Sequence, residues 1–161
     1  MTKKKENNSM IENRKAKFNF VIEDSVEAGI VLNGSEIKSI RKGKISLDNS
    51  YASEKNGSIW LFNAHIQDYS GNQKIIQNYN PKRPRKLLLK KKEISKIKNK
   101  LLSLGYTLVP LDIHYNSKGF AKIQIGISKG RKKEDKRQYK KEQDWKREKS
   151  QIFKKQNFQK L

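Results

Sequence analysis

At Gly130 the chain changes character. From Arg131 onward Lys and Arg outnumber Asp and Glu more than two to one, large aliphatic residues nearly vanish, and neither Gly nor Pro occurs. Any hydrophobic core must therefore come from what lies before. The segment permits a helix, and Glu142 with Lys146 makes a favourable i, i+4 pair. Yet Tyr139, Trp145, Ile152, Phe153 and Phe158 are too sparse to form a broad apolar seam, and so little buried surface does not offset the entropy of ordering. The expectation is a basic tail over residues 130–161, disordered when free and helical when bound.

Before the break the pattern is that of short strands. Ile123, Ile125 and Ile127 alternate with Lys122, Gln124 and Gly126, the mark of a half-buried strand over residues 121–128. Residues 107–115 read as another strand, in which Pro110 implies an edge or a bulge. Asn56-Gly57 between residues 51–55 and 58–62 is the strongest hairpin signal. Residues 17–23 partly alternate, with Phe18 and Phe20 on one face. Glu23-Asp24-Ser25 is expected to turn that strand into a second one ending at Leu32.

Asn33-Gly34 then signals a turn, with Ser35 capping a short helix that points Ile37 and Ile40 inward and Lys38 and Arg41 outward. Residues 93–104 carry the clearest helical period, with Ile94, Ile97, Leu101, Leu102 and Leu104 on one side and Gly105 closing it. Residues 67–80 form a long loop of the functional kind, and residues 1–12 a disordered polar leader. The body, residues 13–129, is thus expected to be mainly β: six or more short antiparallel strands with one long and one short helix. Closure into a barrel would remove the exposed edges.

The charge says what such a body meets. Thirty-eight Lys and Arg against 16 acidic residues give a formal +22, and self-repulsion on that scale is relieved by a polyanion. A membrane surface fits poorly, because no apolar run reaches spanning length and no broad Leu/Phe helix face occurs. Nucleic acid fits better. The chain has no cysteine, hence no disulfide or thiolate zinc site, and His65 and His114 lack partners at metal-binding spacing. No metal or other cofactor is expected. With no Gly-rich phosphate loop and no apolar leader, the expectation is a cytoplasmic protein that is not an enzyme.

Three basic groups stand out: Asn13-Arg14-Lys15 with Lys17; Lys38, Arg41, Lys42 and Lys44; and Arg83, Arg85 and Lys86 with Lys90, Lys91 and Lys92. Each alone reads as a solvated charge run, but the net charge argues against that for all three. Asn13 and His65 offer hydrogen bonds to sugar or base edges, although a satisfied structural role is the more ordinary one for His65. Leu89 offers a surface for a splayed base. Glu27, a carboxylate among cations, would on chemistry alone orient Arg or Lys side chains.

In order and spacing, Asn13-Arg14-Lys15-Ala16, the stretch from Glu27 through Asn33-Gly34 to Arg41, Ser50-Tyr51-Ala52, Asn63-Ala64-His65-Ile66 and Arg85-Lys86-Leu87-Leu88-Leu89 resemble the SmpB family of SsrA-binding proteins. Gly130-Arg131-Lys132-Lys133-Glu134-Asp135-Lys136-Arg137 is similar to that family's block at the barrel–tail junction. The chain departs from the pattern at Glu134, where relatives often have an aromatic residue or His.

The resemblance implies an OB-like barrel that binds the tRNA-like domain of transfer-messenger RNA (SsrA RNA). It implies entry into ribosomes stalled without a stop codon, with elongation factor Tu and GTP joined through the RNA. The tail would lie in the empty mRNA channel beyond the small-subunit decoding centre. It also implies an RNA-binding Glu27, able to accept from a base amino group. Tail contacts with the ribosome are expected from Gly130, Lys132, Asp135, Lys136, Arg137 and Trp145, with Asp135 holding cationic side chains in place. A monomer is expected. A structural ribosomal protein and a non-specific RNA chaperone are the alternatives that composition leaves open.

Overall fold

Alternating isoleucines make β9 (Ala121–Gly130) the central stave of a closed sheet. Its Ile123, Ile125 and Ile127 are fully buried, and both its edges are paired. One partner is β2 (Phe20–Ile30) and the other β8 (Tyr106–Tyr115), and both run antiparallel along almost its whole length. The computed structural model describes residues 11–69 and 79–158.

From β2 the ring continues through β7 (Arg85–Leu88), β5 (Ser58–Phe62) and β4 (Tyr51–Lys55) back to β8. Every pairing is antiparallel, and with β1 (Ile11–Glu12) added on β8 the sheet has seven strands. The far wall closes by short pairings, down to the single pair Ala52↔Leu108 between β4 and β8. Ile59, Leu61, Leu87, Leu108 and Ile113 fill the interior. This is the expected OB-like barrel, and closure leaves it few open edges.

Helix α2 (Gly34–Arg41) and α3 (Lys91–Leu101) cover the barrel with Ile40 and Ile97, and a small ladder pairs β3 (Ile45–Ser46) with β6 (His65–Ile66). The hairpin at Asn56-Gly57 forms as expected, with φ of 52° and 77° at the two positions. Pro110 sits at a bulge, where register shifts between Pro110 and Asp112.

Four expectations are corrected. The hairpin over residues 17–32 does not exist. Residues 17–19 are instead the end of α1 (Arg14–Asn19), while residues 20–23 are strand but run on without a turn into the unbroken β2, in which Glu23-Asp24 is a bulge. A partner as long as β9 favours extending the strand over turning it, and the extra residue is absorbed locally. The leader is shorter than expected, because Ile11 and Glu12 already pair with Ile113 and Asp112; residues 1–10 lie outside the described ones. Helix α2 starts at Gly34, and its N-terminal device is Glu36, whose Oε2 accepts from the Asn33 N–H at 2.8 Å, rather than Ser35. Helix α3 ends at Leu101, and Gly105 takes a left-handed φ of 85°, so Leu102 and Leu104 end up outside, 85% and 97% exposed. Of the expected long loop, residues 70–78 lie outside the described ones.

Beyond the barrel, α4 (Lys133–Phe158) is one helix of 26 residues. Among the described residues its N-terminal part meets the body: the Tyr139 ring lies 6.3 Å from that of Phe18, and the Arg131 guanidinium covers Tyr139 at 4.4 Å. Trp145, Ile152 and Phe153 stand in solvent.

Candidate nucleic-acid interface

The buried Glu36 decides which cations of the body are available. It has no exposed surface. Its Oε1 accepts from Arg83 Nε (2.9 Å), Arg85 Nε (3.0 Å) and Arg85 Nη2 (2.8 Å), while Oε2 accepts from Arg83 Nη2 and the Asn33 N–H. Arg85, likewise fully buried, also donates to the carbonyls of Ala64 (2.8 Å), Pro81 (2.9 Å) and Arg83 (3.1 Å). The two arginines, expected on RNA, are therefore fixed on a carboxylate: Arg85 is structural, and Arg83 reaches solvent only in part. A buried carboxylate left without those donors would be very costly, which explains the arrangement. Asn13 is corrected in the same way. Only 5% exposed, it accepts from Ala16 N–H and donates to the Leu47 and Pro110 carbonyls, so its side chain is engaged within the fold.

Much of the charge that stays outward gathers in two places, though Lys91 and Lys92 stand apart on α3. The first is a groove on the outer face of β2, β9 and β7. One end is lined by Glu27, Lys86, Leu88, Leu89, Lys90 and Lys122. The other end, sharing Gly29, Leu88 and Lys122, runs to Arg41, Tyr115 and Phe120. Gly29 keeps the floor low, since a Cβ there would come within 3.2 Å of Leu88 Cβ. Apolar surface is exposed between the cations: Leu88 is 55% and Phe120 64% accessible. Arg41 lies 5.6 Å from the centre of the Tyr115 ring.

Beside the groove, Lys38 and Lys42 stand 5.6 and 4.7 Å from the centre of the Tyr69 ring. The hydrogen bond and charge of Lys42, helped by Lys38 and Lys44, hold the Tyr69 hydroxyl below its ordinary pKa, the signature of a strongly positive surface. His65 is exposed on β6, opposite Ser46 and close to Lys44 along that ladder. A groove offering cations, exposed apolar faces and the carboxylates of Glu27 and Glu93, the latter accepting from the Lys90 N–H, suits an irregular RNA better than a uniform duplex.

The second place is the root of the tail. Arg14 lines a cleft with Lys17, Phe18, Tyr139, Lys140, Gln143 and Arg147, whereas Lys15, 2.7 Å from Asp48, shares another with Asn49, Tyr51, Arg131 and Lys136. The first expected basic group thus accompanies α4 and not the groove. At the junction the Arg131 N–H donates to the Asn19 carbonyl at 2.8 Å, anchoring the chain just after Gly130. Asp135 accepts from the Lys132 N–H at 3.3 Å in the first turn of α4. Its carboxylate caps the helix and favours its positive end, rather than bracing side chains. Lys132, Arg137 and Trp145 are exposed, and Lys136 is half-buried.

Sequence reasoning missed Lys122, Tyr115 and Phe120 in the groove, which read only as parts of strands and a turn. It also missed His114, whose Nδ1 lies 2.7 Å from Asp112 Oδ1 and whose Nε2 lies 3.0 Å from Glu27 Oε2. The spacing Asp112–His114, two apart on one strand face, was a signal that could have found it. Among the described residues Glu27 therefore braces no Arg or Lys, contrary to what chemistry alone suggested; its partner is an imidazole.

Comparison with known proteins places this arrangement in context. The family profile described as SmpB protein matches residues 10–155. The chain is 49% identical over 144 residues to the SsrA-binding protein of Bradyrhizobium diazoefficiens, covering 89% of this chain and 90% of that one. It is 51% identical to that of Ehrlichia ruminantium, covering 89% and 96%. With the SsrA-binding protein of Orientia tsutsugamushi it shares 51% identity over 88% of this chain and 92% of the relative. A chain of the solved structure described as "tmRNA-SmpB: a journey to the center of the bacterial ribosome" is similar with a TM-score of 0.64 and 40% identity, over 77% of this chain and 85% of that one.

Proposed function

The chain belongs to the SmpB family, and from that premise we propose that it is the RNA-binding adaptor of trans-translation. Its barrel binds the tRNA-like domain of transfer-messenger RNA and brings it to ribosomes stalled without a stop codon. The observation that carries this reading is the groove joining Glu27, Arg41, Lys86, Leu89 and Lys122 on one face of the barrel. Lys38, Lys44 and His65 extend it. Cations there meet phosphate, Leu88, Leu89 and Phe120 receive unstacked bases, and Glu27 accepts from a base amino group. Such a surface reads shape and a few base edges, so the role assigned is binding.

The tail, with Gly130, Lys132, Asp135, Lys136, Arg137 and Trp145, is assigned to the small-subunit decoding centre and the mRNA channel. A cationic helix suits a channel walled by phosphate, and Trp145 offers a face for stacking. In this reading the adaptor acts as a monomer in the cytoplasm, and elongation factor Tu with GTP joins through the RNA.

Division of labour between body and tail gives the test. A chain ending at Lys129 should bind the tRNA-like domain within about tenfold of the full chain, a cost of about 1.4 kcal/mol or less, because the groove is intact. A thousandfold loss in a filter-binding assay would place the tail in that interface and overturn the assignment. Glu27→Gln should weaken the tRNA-like domain more than bulk tRNA, with a nearly unchanged melting temperature. Equal weakening of both RNAs together with a lower melting temperature would make Glu27 structural.

A further inference from the structure

The His114 clamp on Glu27 has a chemical consequence. Both ring nitrogens face carboxylate oxygens, Asp112 Oδ1 at 2.7 Å and Glu27 Oε2 at 3.0 Å. An ionised carboxylate only accepts, so satisfying both contacts requires a proton on each nitrogen. The strand register makes the reach possible. His114 stands opposite Lys122 and Glu27 opposite Gln124 on the intervening β9, and the Gln124 amide is turned away to donate to Ser25 Oγ at 2.8 Å. His114 thus spans β9 to hold a side chain two strands away. Glu27 keeps about half its surface exposed, and its Oε1 makes no hydrogen bond among the described residues.

We propose that His114 is a positioning residue for RNA recognition: gripped by Asp112, it fixes Glu27 through Oε2 and leaves Oε1 available to accept from an exposed amino group of guanine or cytosine. This rests on the reading that Glu27 contacts RNA. A carboxylate on a half-exposed surface otherwise samples several rotamers, and fixing it removes an ordering cost from binding. The same contact makes recognition sensitive to pH.

Burial works against the charged ring, but the hydrogen bonds and charges of Asp112 and Glu27 outweigh it and raise the His114 pKa above its ordinary value. The charged groups around the clamp are Glu12 opposite Asp112 on β1, Lys122 on β9, and Lys86, Lys90 and Glu93 along the groove. Below the raised pKa the clamp is complete. As pH rises through it, one of the two contacts loses its proton, Glu27 loosens, and the face gains negative charge toward RNA.

The test is the affinity of the full-length chain for the tRNA-like domain, with bulk tRNA as reference, from about pH 5.5 to 8.5, where histidine changes charge. The parent should lose preference for the tRNA-like domain as pH rises. His114→Ala should bind about fivefold more weakly at the acid end, the scale of one net hydrogen bond, with a flat pH profile. Combined with Glu27→Gln it should bind no more weakly than Glu27→Gln alone. In the free protein, the NMR titration midpoint of the His114 ring should fall in Glu27→Gln, a readout that needs no RNA.

An unchanged midpoint, a His114→Ala variant that keeps the pH slope, or independent losses in the double variant would overturn the clamp while leaving Glu27 on RNA. A Glu27→Gln variant that binds like the parent would remove Glu27 from the RNA altogether, and the positioning role with it.

Discussion

Arg85→Ala is expected to lower the unfolding free energy by about 3–5 kcal/mol, the scale of breaking a buried ion pair by removing one partner. The loss would come from inside the molecule and not from any RNA contact. Glu36 would keep its charge, its burial and only part of its donors, and the carbonyls of Ala64 and Pro81 would each lose a guanidinium donor. Arg85→Lys should rescue little, because a point charge with a different reach cannot supply the fork that Glu36 Oε1 and three carbonyls share.

The same site gives the acid limit of the fold. Burial pushes the Glu36 carboxyl upward, but hydrogen bonds from Arg83 and the Asn33 N–H and the charge of Arg85 more than reverse this, leaving it below its ordinary value. Its contribution is therefore present above the carboxylate pKa of the unfolded chain, about 4.3, and is lost as pH falls through the lower folded value. Urea melts at neutral and acid pH check both points. An Arg85→Ala variant as stable as the parent would mean that this cluster does not hold α2 to β7.

The second large effect is expected at the junction. Replacing Asp135, Lys136 and Arg137 together by Ala should leave binding of SsrA RNA within about tenfold, since none of the three lines the groove. It should stop the tagging of peptides on stalled ribosomes in a reconstituted assay. Asp135 caps the start of α4 on the Lys132 N–H, and Lys136 lines one cleft with Lys15 and Arg131. On the proposed reading they set where the helix leaves the barrel. Normal tagging by the triple variant would refute that role, and loss of SsrA RNA binding would move the junction into the body's interface. Free in solution, the distal part of α4 should exchange its amides quickly, because Trp145, Ile152 and Phe153 are largely exposed. The turns near Tyr139, held by Phe18 and Arg131, should exchange more slowly.

How much of this could be read in advance follows from range. The alternation of Ile123, Ile125 and Ile127, the Asn56-Gly57 turn and the Pro110 bulge are local signals, and each appears where expected. Closure of the barrel was a matter of edges, and its strand order depends on contacts between distant segments. The Phe18–Phe20 alternation misled because Asn13 caps a helix there, fixed by the Leu47 and Pro110 carbonyls from far along the chain. For the site, local charge gave Lys38, Arg41, Lys44 and Lys86 correctly as outward cations. It could not separate Arg85 from Lys86, because what removes Arg85 is a carboxylate 49 residues away. The capping pattern Asn33-x-x-Glu36 was the one clue that a carboxylate sat at that corner. Glu27 and Lys122 meet His114 and the groove only once β2, β9 and β8 lie side by side.

The central claim, an adaptor that recognises transfer-messenger RNA through its barrel and follows it onto stalled ribosomes, is most directly tested by sequencing the RNA crosslinked to this chain in cells. The account predicts strong enrichment of SsrA RNA, with crosslinks clustered in its tRNA-like domain and mapping on the protein to the groove around Glu27, Lys86 and Lys122. Weaker crosslinks to small-subunit ribosomal RNA should come from the tail. Crosslinks confined to ribosomal RNA, with the chain stoichiometric on every ribosome, would contradict the account and make this barrel a structural ribosomal protein.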